Sequence, residues 1–83
     1  MSEKEMFEEL GYELYENVKD GISYKMKWEI STTHWVDFDF IDKTIDVYIT
    51  SDSPFEQSKP DRISIELLQA INKQVEELGW KNE

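Results

Sequence analysis

Cysteine is absent from this chain of 83 residues. Neither a disulfide framework nor a thiolate metal site can support the fold, and the absence fits a reducing compartment. Glycine is scarce, with three isolated residues, so no glycine-rich loop exists to cradle a phosphate. Proline is limited to Pro54 and Pro60. There is a single histidine, His34. Cations are few: nine Lys and Arg face nineteen Asp and Glu, for a net charge of −10. That balance argues against direct binding of nucleic acid, which needs clustered cations against phosphates. No apolar run approaches the roughly 20 residues of a membrane span. The acidic start, Met1-Ser2-Glu3-Lys4-Glu5, lacks the apolar centre of a secretion signal. These absences lead us to expect a single soluble domain over residues 1–83, cytoplasmic and without contact to membranes.

What is present is aromatic bulk and acid. Three Trp, four Tyr and four Phe must supply much of the core of a domain that buries only about 60% of its unfolded surface. The pentapeptides Glu8-Glu9-Leu10-Gly11-Tyr12 and Glu76-Glu77-Leu78-Gly79-Trp80 echo each other. Each has the form of a helix end, a glycine stop and an aromatic residue folding back. The first helix begins at Ser2, whose spacing to Glu5 makes a capping box. Met1 and Met6 are placed to form a hydrophobic staple, and Tyr12 is expected to pack on Phe7. The second helix begins near Ser64, with Ile63 and Leu68 spaced as a staple. Leu67, Leu68, Ile71, Val75 and Leu78 lie on one face; Glu66, Gln69, Ala70, Lys73 and Glu77 lie opposite.

Between the helices, strict alternation predicts three strands. Ile22, Tyr24, Met26, Trp28 and Ile30 alternate with Ser23, Lys25, Lys27 and Glu29; Val36, Phe38 and Phe40 alternate with Trp35, Asp37, Asp39 and Ile41; and Ile45, Val47 and Ile49 alternate with Thr44, Asp46, Tyr48 and Thr50. Residues 13–21, ending in the turn signal Asp20-Gly21, leave room for a short fourth edge strand. Short connections at 31–33 and 42–43 make an antiparallel meander. The expected register sets Phe40 against Ile45 and Trp28 against Val36. It pairs Lys25 with Asp39 and Lys27 with Asp37 on the outer face, and sets Asp39 against Asp46. Residues 51–62 read as a polar loop. The fold class is α+β, in the order α-β-β-β-α, with both helices on one sheet face.

Candidate chemistry is sparse. His34 reads as a surface turn residue without an orienting partner or nucleophile. No nucleophile motif or His-Glu zinc pattern is present. The chain is therefore not expected to be an enzyme, and no catalytic residue, cofactor or metal site is assigned. Asp37, Asp39 and Asp46 share the outer face, but Lys25 and Lys27 lie beside them and no loop completes a metal shell. Trp35, Tyr48 and Ile41 share that face too, and Tyr and Trp are enriched at binding hot spots. Phe55 stands out in its polar loop. Glu8, Glu9, Glu76 and Glu77 sit at helix C-termini, where the helix dipole disfavours a carboxylate by roughly 0.3–1 kcal/mol. The binding candidates are thus Trp35, Asp37, Asp39, Asp46, Tyr48 and Phe55, with those four glutamates.

Met6-Phe7-Glu8-Glu9-Leu10-Gly11-Tyr12 and the stretch from Ser64 to Trp80 resemble a group of small uncharacterised proteins encoded in phages and prophages of Gram-positive bacteria (Firmicutes). The resemblance covers both helices, and the middle in strand pattern alone. It implies a phage accessory role and brings no catalytic or binding residues with it. The resulting expectation is an accessory protein acting by protein–protein interaction through an acidic and aromatic surface, on a partner with a basic surface. The alternative is an acidic DNA mimic that inhibits a nucleic-acid-binding protein. Against it, duplex DNA about 30 Å long carries about 18 charges, more than this chain offers. The weakly charged last strand, Thr44–Thr50, would leave an open edge, which allows a homodimer through that edge or through the aromatic face.

Overall fold

A computed structural model describes residues 2–52 and 58–80. The order is α1 (Glu3–Glu9), β1 (Glu13–Val18), β2 (Gly21–Glu29), β3 (Thr32–Asp39), β4 (Thr44–Ser51), β5 (Lys59–Pro60) and α2 (Ile65–Glu77). The strands form one antiparallel meander in sequence order, with α1 and α2 against one face. The α+β class holds, but three strands undercount the sheet. Residues 13–18 form a full strand along β2, with a bulge between Leu14 and Glu16. Inside the expected polar loop, β5 pairs Lys59 and Pro60 with Ile49 and Tyr48. The edge of β4 is therefore partly covered rather than open.

Alternation put most residues on the correct face, but the turns set a different register. A two-residue turn at Ile30-Ser31, not a loop at 31–33, joins β2 to β3. It brings Tyr24 opposite Val36, Ile22 opposite Phe38 and Met26 opposite His34. A four-residue turn over 40–43 then sets Phe38 against Ile45 and Val36 against Val47. Lys43 takes the left-handed conformation in that turn, at φ 56°. The Asp39 carboxylate accepts from the backbone N–H of Ile41 and Asp42 at 2.8 and 3.0 Å, which holds the turn as an Asx motif does. Ile41 is thus an exposed turn residue rather than a strand residue of the outer face. Both corrections shift the pairing by an even number of residues, so the buried face is kept.

The expected pairs Lys25–Asp39 and Lys27–Asp37 are not formed. Lys25 meets Glu13 of β1 at 3.7 Å and Lys27 meets Asp52 at 3.6 Å. Trp28 and Ile30 do not enter the core. The ladder skips a residue between Lys27 and Glu29, and at this bulge Trp28 lies edge-on to His34 at 6.0 Å but stays 66% exposed, with Ile30 at 93%. At its other end β2 runs so close to β3 that a Cβ on Gly21 would stand 2.4 Å from the Phe38 carbonyl oxygen.

Both helices start and stop as the sequence dictates. Ser2 and Glu5 form the capping box, and those hydrogen bonds hold the Glu5 carboxyl below its ordinary pKa. The Met1 half of the expected staple lies outside the described residues. Ser64 caps α2 through a hydrogen bond from the Leu67 N–H, 3.0 Å. Gly11 and Gly79 end the helices at φ 93° and 77°, where a side chain would be strained. The residue after each glycine donates back five positions, Tyr12 to Phe7 and Trp80 to Val75.

The core is an aromatic stack. Phe7 lies flat on Tyr24 at 3.9 Å and edge-on to Tyr12 and Phe38 at 6.0 and 6.2 Å. Trp80 folds back onto Phe38 and Phe40. The buried face of α2 differs from expectation: Leu67, Ala70, Ile71 and Gln74 are inside, while Leu68 is 42% exposed. Two local facts turn the helix this way. Ala70 is small enough to sit fully buried against the core, and Gln74 finds a buried partner, accepting from the Tyr24 hydroxyl at 2.7 Å. A polar residue at a core position is tolerated when it is paired in this way.

Candidate functional site

The sheet face away from the helices carries the side chains that alternate with the core. Two cross-strand pairs stand next to each other on it. Trp35 lies opposite Tyr48, and Asp37 lies opposite Asp46. The expected Asp39–Asp46 pair is replaced by Asp37–Asp46 through the register shift, and Asp39 is occupied in its turn. The Trp35 and Tyr48 rings are stacked, 6.2 Å apart and 12° from parallel. Tyr15 of β1 meets Trp35 edge-on at 5.1 Å, which extends the row to three rings. Lys25 Nζ sits 4.9 Å from the centre of the Tyr15 ring, in cation–π geometry. The Trp35 indole N–H donates to the Thr50 hydroxyl at 2.7 Å, and the Tyr48 hydroxyl donates to Asp37 Oδ2 at 2.6 Å. The row is therefore fixed in place rather than loosely splayed.

Asp37 and Asp46 line an acidic depression of 240 Å³ with Glu16, Asp20 and Asp39 as its other charged residues. Burial and the Asp37 and Asp46 carboxylates push the Tyr48 hydroxyl far above its ordinary pKa, so it stays a donor. Asp37 is strained in another way. Its Oδ1 is closed off from solvent and has no hydrogen-bond partner among the described residues. An orphaned buried acceptor costs about 1–3 kcal/mol, more when charged, and like charges directly opposite add to the cost. A donor brought from outside would relieve both terms.

Sequence reasoning missed a second cluster. His34 is a strand residue rather than a turn residue, and it faces the helices. Its Nδ1 lies 2.5 Å from Asp61 Oδ2, with side-chain exposures of 18% and 11%. The pair closes one end of a 420 Å³ groove with Tyr12, Met26 and Leu67 along its walls. Burial, aided by Asp61, pushes the Tyr12 hydroxyl up to about 12. The sequence held one usable signal. Asp61 follows Pro60 directly and precedes the α2 cap, so its position is fixed by two local constraints. What could not be read was that β5 carries Asp61 onto the sheet, where its N–H donates to the Val47 carbonyl at 3.2 Å. An imidazole held by a carboxylate can move protons, but among the described residues Asp61 is its one hydrogen-bond partner.

The four helix-end glutamates do not join either cluster. Glu8, Glu9, Glu76 and Glu77 are exposed on the helical layer, on the opposite side of the sheet from Trp35. Lys73 reaches Glu76 at 4.0 Å and Glu77 at 3.3 Å, which offsets part of the dipole penalty in α2. Phe55 lies outside the described residues. Among the described residues no group of three or more His, Cys, Asp or Glu is arranged to hold a metal ion, and no helix is long and apolar enough to cross a membrane. Comparison of the chain with known protein families, with curated proteins and with solved structures finds no match in any of them.

Proposed function

We propose that this chain is a small accessory protein of the phage type, cytoplasmic and without catalysis of its own, which binds a protein partner through the outer sheet face. The observation that carries the reading is the Asp37 carboxylate, one oxygen bound to Tyr48 and the other unsatisfied, beside a fixed aromatic row. The charge of the depression selects a basic surface. Trp35 and Tyr48 supply apolar area with little side-chain entropy left to lose, which is what a hot spot requires. Binding to a basic partner should weaken as salt rises.

The test is a pulldown from a Gram-positive lysate with the wild type and with the Trp35→Ala/Tyr48→Ala double variant, both checked for folding by circular dichroism. The expected result is a partner retained by the wild type and lost by the variant. A partner held equally by both would move the site elsewhere. The DNA-mimic reading draws support from the same carboxylates, but they form a compact cluster rather than the two long rows of a duplex. Competition with DNA for a basic protein at low salt would favour it.

A further inference from the structure

We infer that the anchor taken by the outer face is an arginine side chain of the partner, its guanidinium bridging Asp46 and Asp37 and its plane resting on the Trp35–Tyr48 pair. The inference rests on the protein-binding reading above and specifies the chemistry it uses. Asp37 and Asp46 face each other across β3 and β4, and directly opposed residues hold their Cβ atoms about 4.5–5.5 Å apart. One planar cation with several N–H donors can reach both carboxylates from that spacing. The next pair along the same face is the stacked Trp35 and Tyr48, about 7 Å away at two residues of strand rise. A side chain that enters over the rings therefore ends at the acids.

Asp46 is exposed and offers the point of entry. Reaching Asp37 Oδ1 requires its carboxylate to turn about the terminal torsion, which gives up the bond from the Tyr48 hydroxyl, and the guanidinium supplies N–H donors to the turned carboxylate in its place. The face already shows that its rings accept a cation, since Lys25 lies over Tyr15 at the far end of the row. Arginine suits the acid end better than lysine. Its fork serves two carboxylates at once, it stacks on aromatic faces and it sheds water more readily, whereas an ammonium is a compact and strongly hydrated point charge.

Three synthetic peptides test this, identical except at four positions that carry arginine, lysine or neutral citrulline. Binding is measured by titration calorimetry at low salt, and by the NMR shift of the Trp35 indole proton. The arginine peptide is expected to bind at least about fivefold tighter than the lysine peptide, to move the Trp35 signal, and to outbind citrulline by a wider margin. Asp46→Asn, an exposed and conservative change, should bring the arginine advantage below about twofold while circular dichroism stays unchanged. Equal affinity for arginine and lysine peptides would overturn the arginine anchor and leave the basic-partner reading standing. An arginine advantage that survives Asp46→Asn would overturn its placement. If neither charged peptide binds at low salt, both the anchor and the reading beneath it fail.

Discussion

The two faces of one sheet follow opposite rules. On the inner face two polar side chains are matched across the fold: Tyr24 donates to Gln74, and His34 is held by Asp61. On the outer face Tyr48 satisfies half of Asp37 and leaves the other half unmatched, with Asp46 directly across. Strands β3 and β4 build both faces, so backbone geometry is shared and cannot explain the contrast. What differs is cover. Two helices close the inner face and fix its stability, while the outer face keeps an unsatisfied carboxylate beside ordered rings. The contrast separates side chains bound into the core from side chains left partly unmatched at the surface.

The largest effect should come from Phe7→Ala. Phe7 is fully buried and touches three other rings, so the change should cost about 3–5 kcal/mol. That is much of the stability of a domain this small, and urea unfolding would show it. Tyr24→Phe strands the buried Gln74 amide and should cost about 1–3 kcal/mol. The same face should lose stability in alkali. Burial, with Glu3 and Glu8 nearby, pushes Tyr24 to about 12, and Tyr12 is also raised to about 12, from an ordinary 10. The folded state thus holds protons that the unfolded chain releases. This contribution is complete below pH 10 and is lost as pH rises through 12. Urea midpoints should fall across that window, and less steeply in Tyr24→Phe.

Outer-face changes should be milder for folding. Trp35→Ala removes ring contacts and the bond to Thr50, for about 1–2 kcal/mol, and under the proposed function it should also remove partner binding. Asp46→Asn should fall within about 0.5 kcal/mol of the wild type, on the stabilising side, because it relieves a like-charge pair. A large stability loss at Asp46, or none at Phe7, would erase the distinction between the faces.

Much of this division was legible in the sequence. The capping box at Ser2, the Ser64 cap and both glycine stops are local, each needing only a few neighbouring residues, and each holds in the structure. Face assignment survived because a sheet repeats every two residues, so an even slip changes partners and keeps sides. Register failed because it depends on turn geometry: Ile30-Ser31 carries no strong turn signal, and Asp39 holds its turn through its own side chain. The His34–Asp61 pair was invisible because its members are 27 residues apart and meet only through β5, a strand of two residues that no periodicity can announce. Trp35, Tyr48, Asp37 and Asp46 were placed on the right face, but their pairing followed the register and shifted with it.

Gly21 has a consequence for tracing relatives of this chain. Gly11 and Gly79 are set by their own backbone angles, which asparagine can sometimes adopt. Gly21 is set by a neighbour's carbonyl oxygen 2.4 Å from where its Cβ would be, and no choice of rotamer relieves that. In a divergent lineage the helix stops can drift while this position stays fixed. A glycine at the start of the second strand, followed by alternating apolar residues, is the mark by which a distant cousin would be recognised after the rest of the sequence has changed.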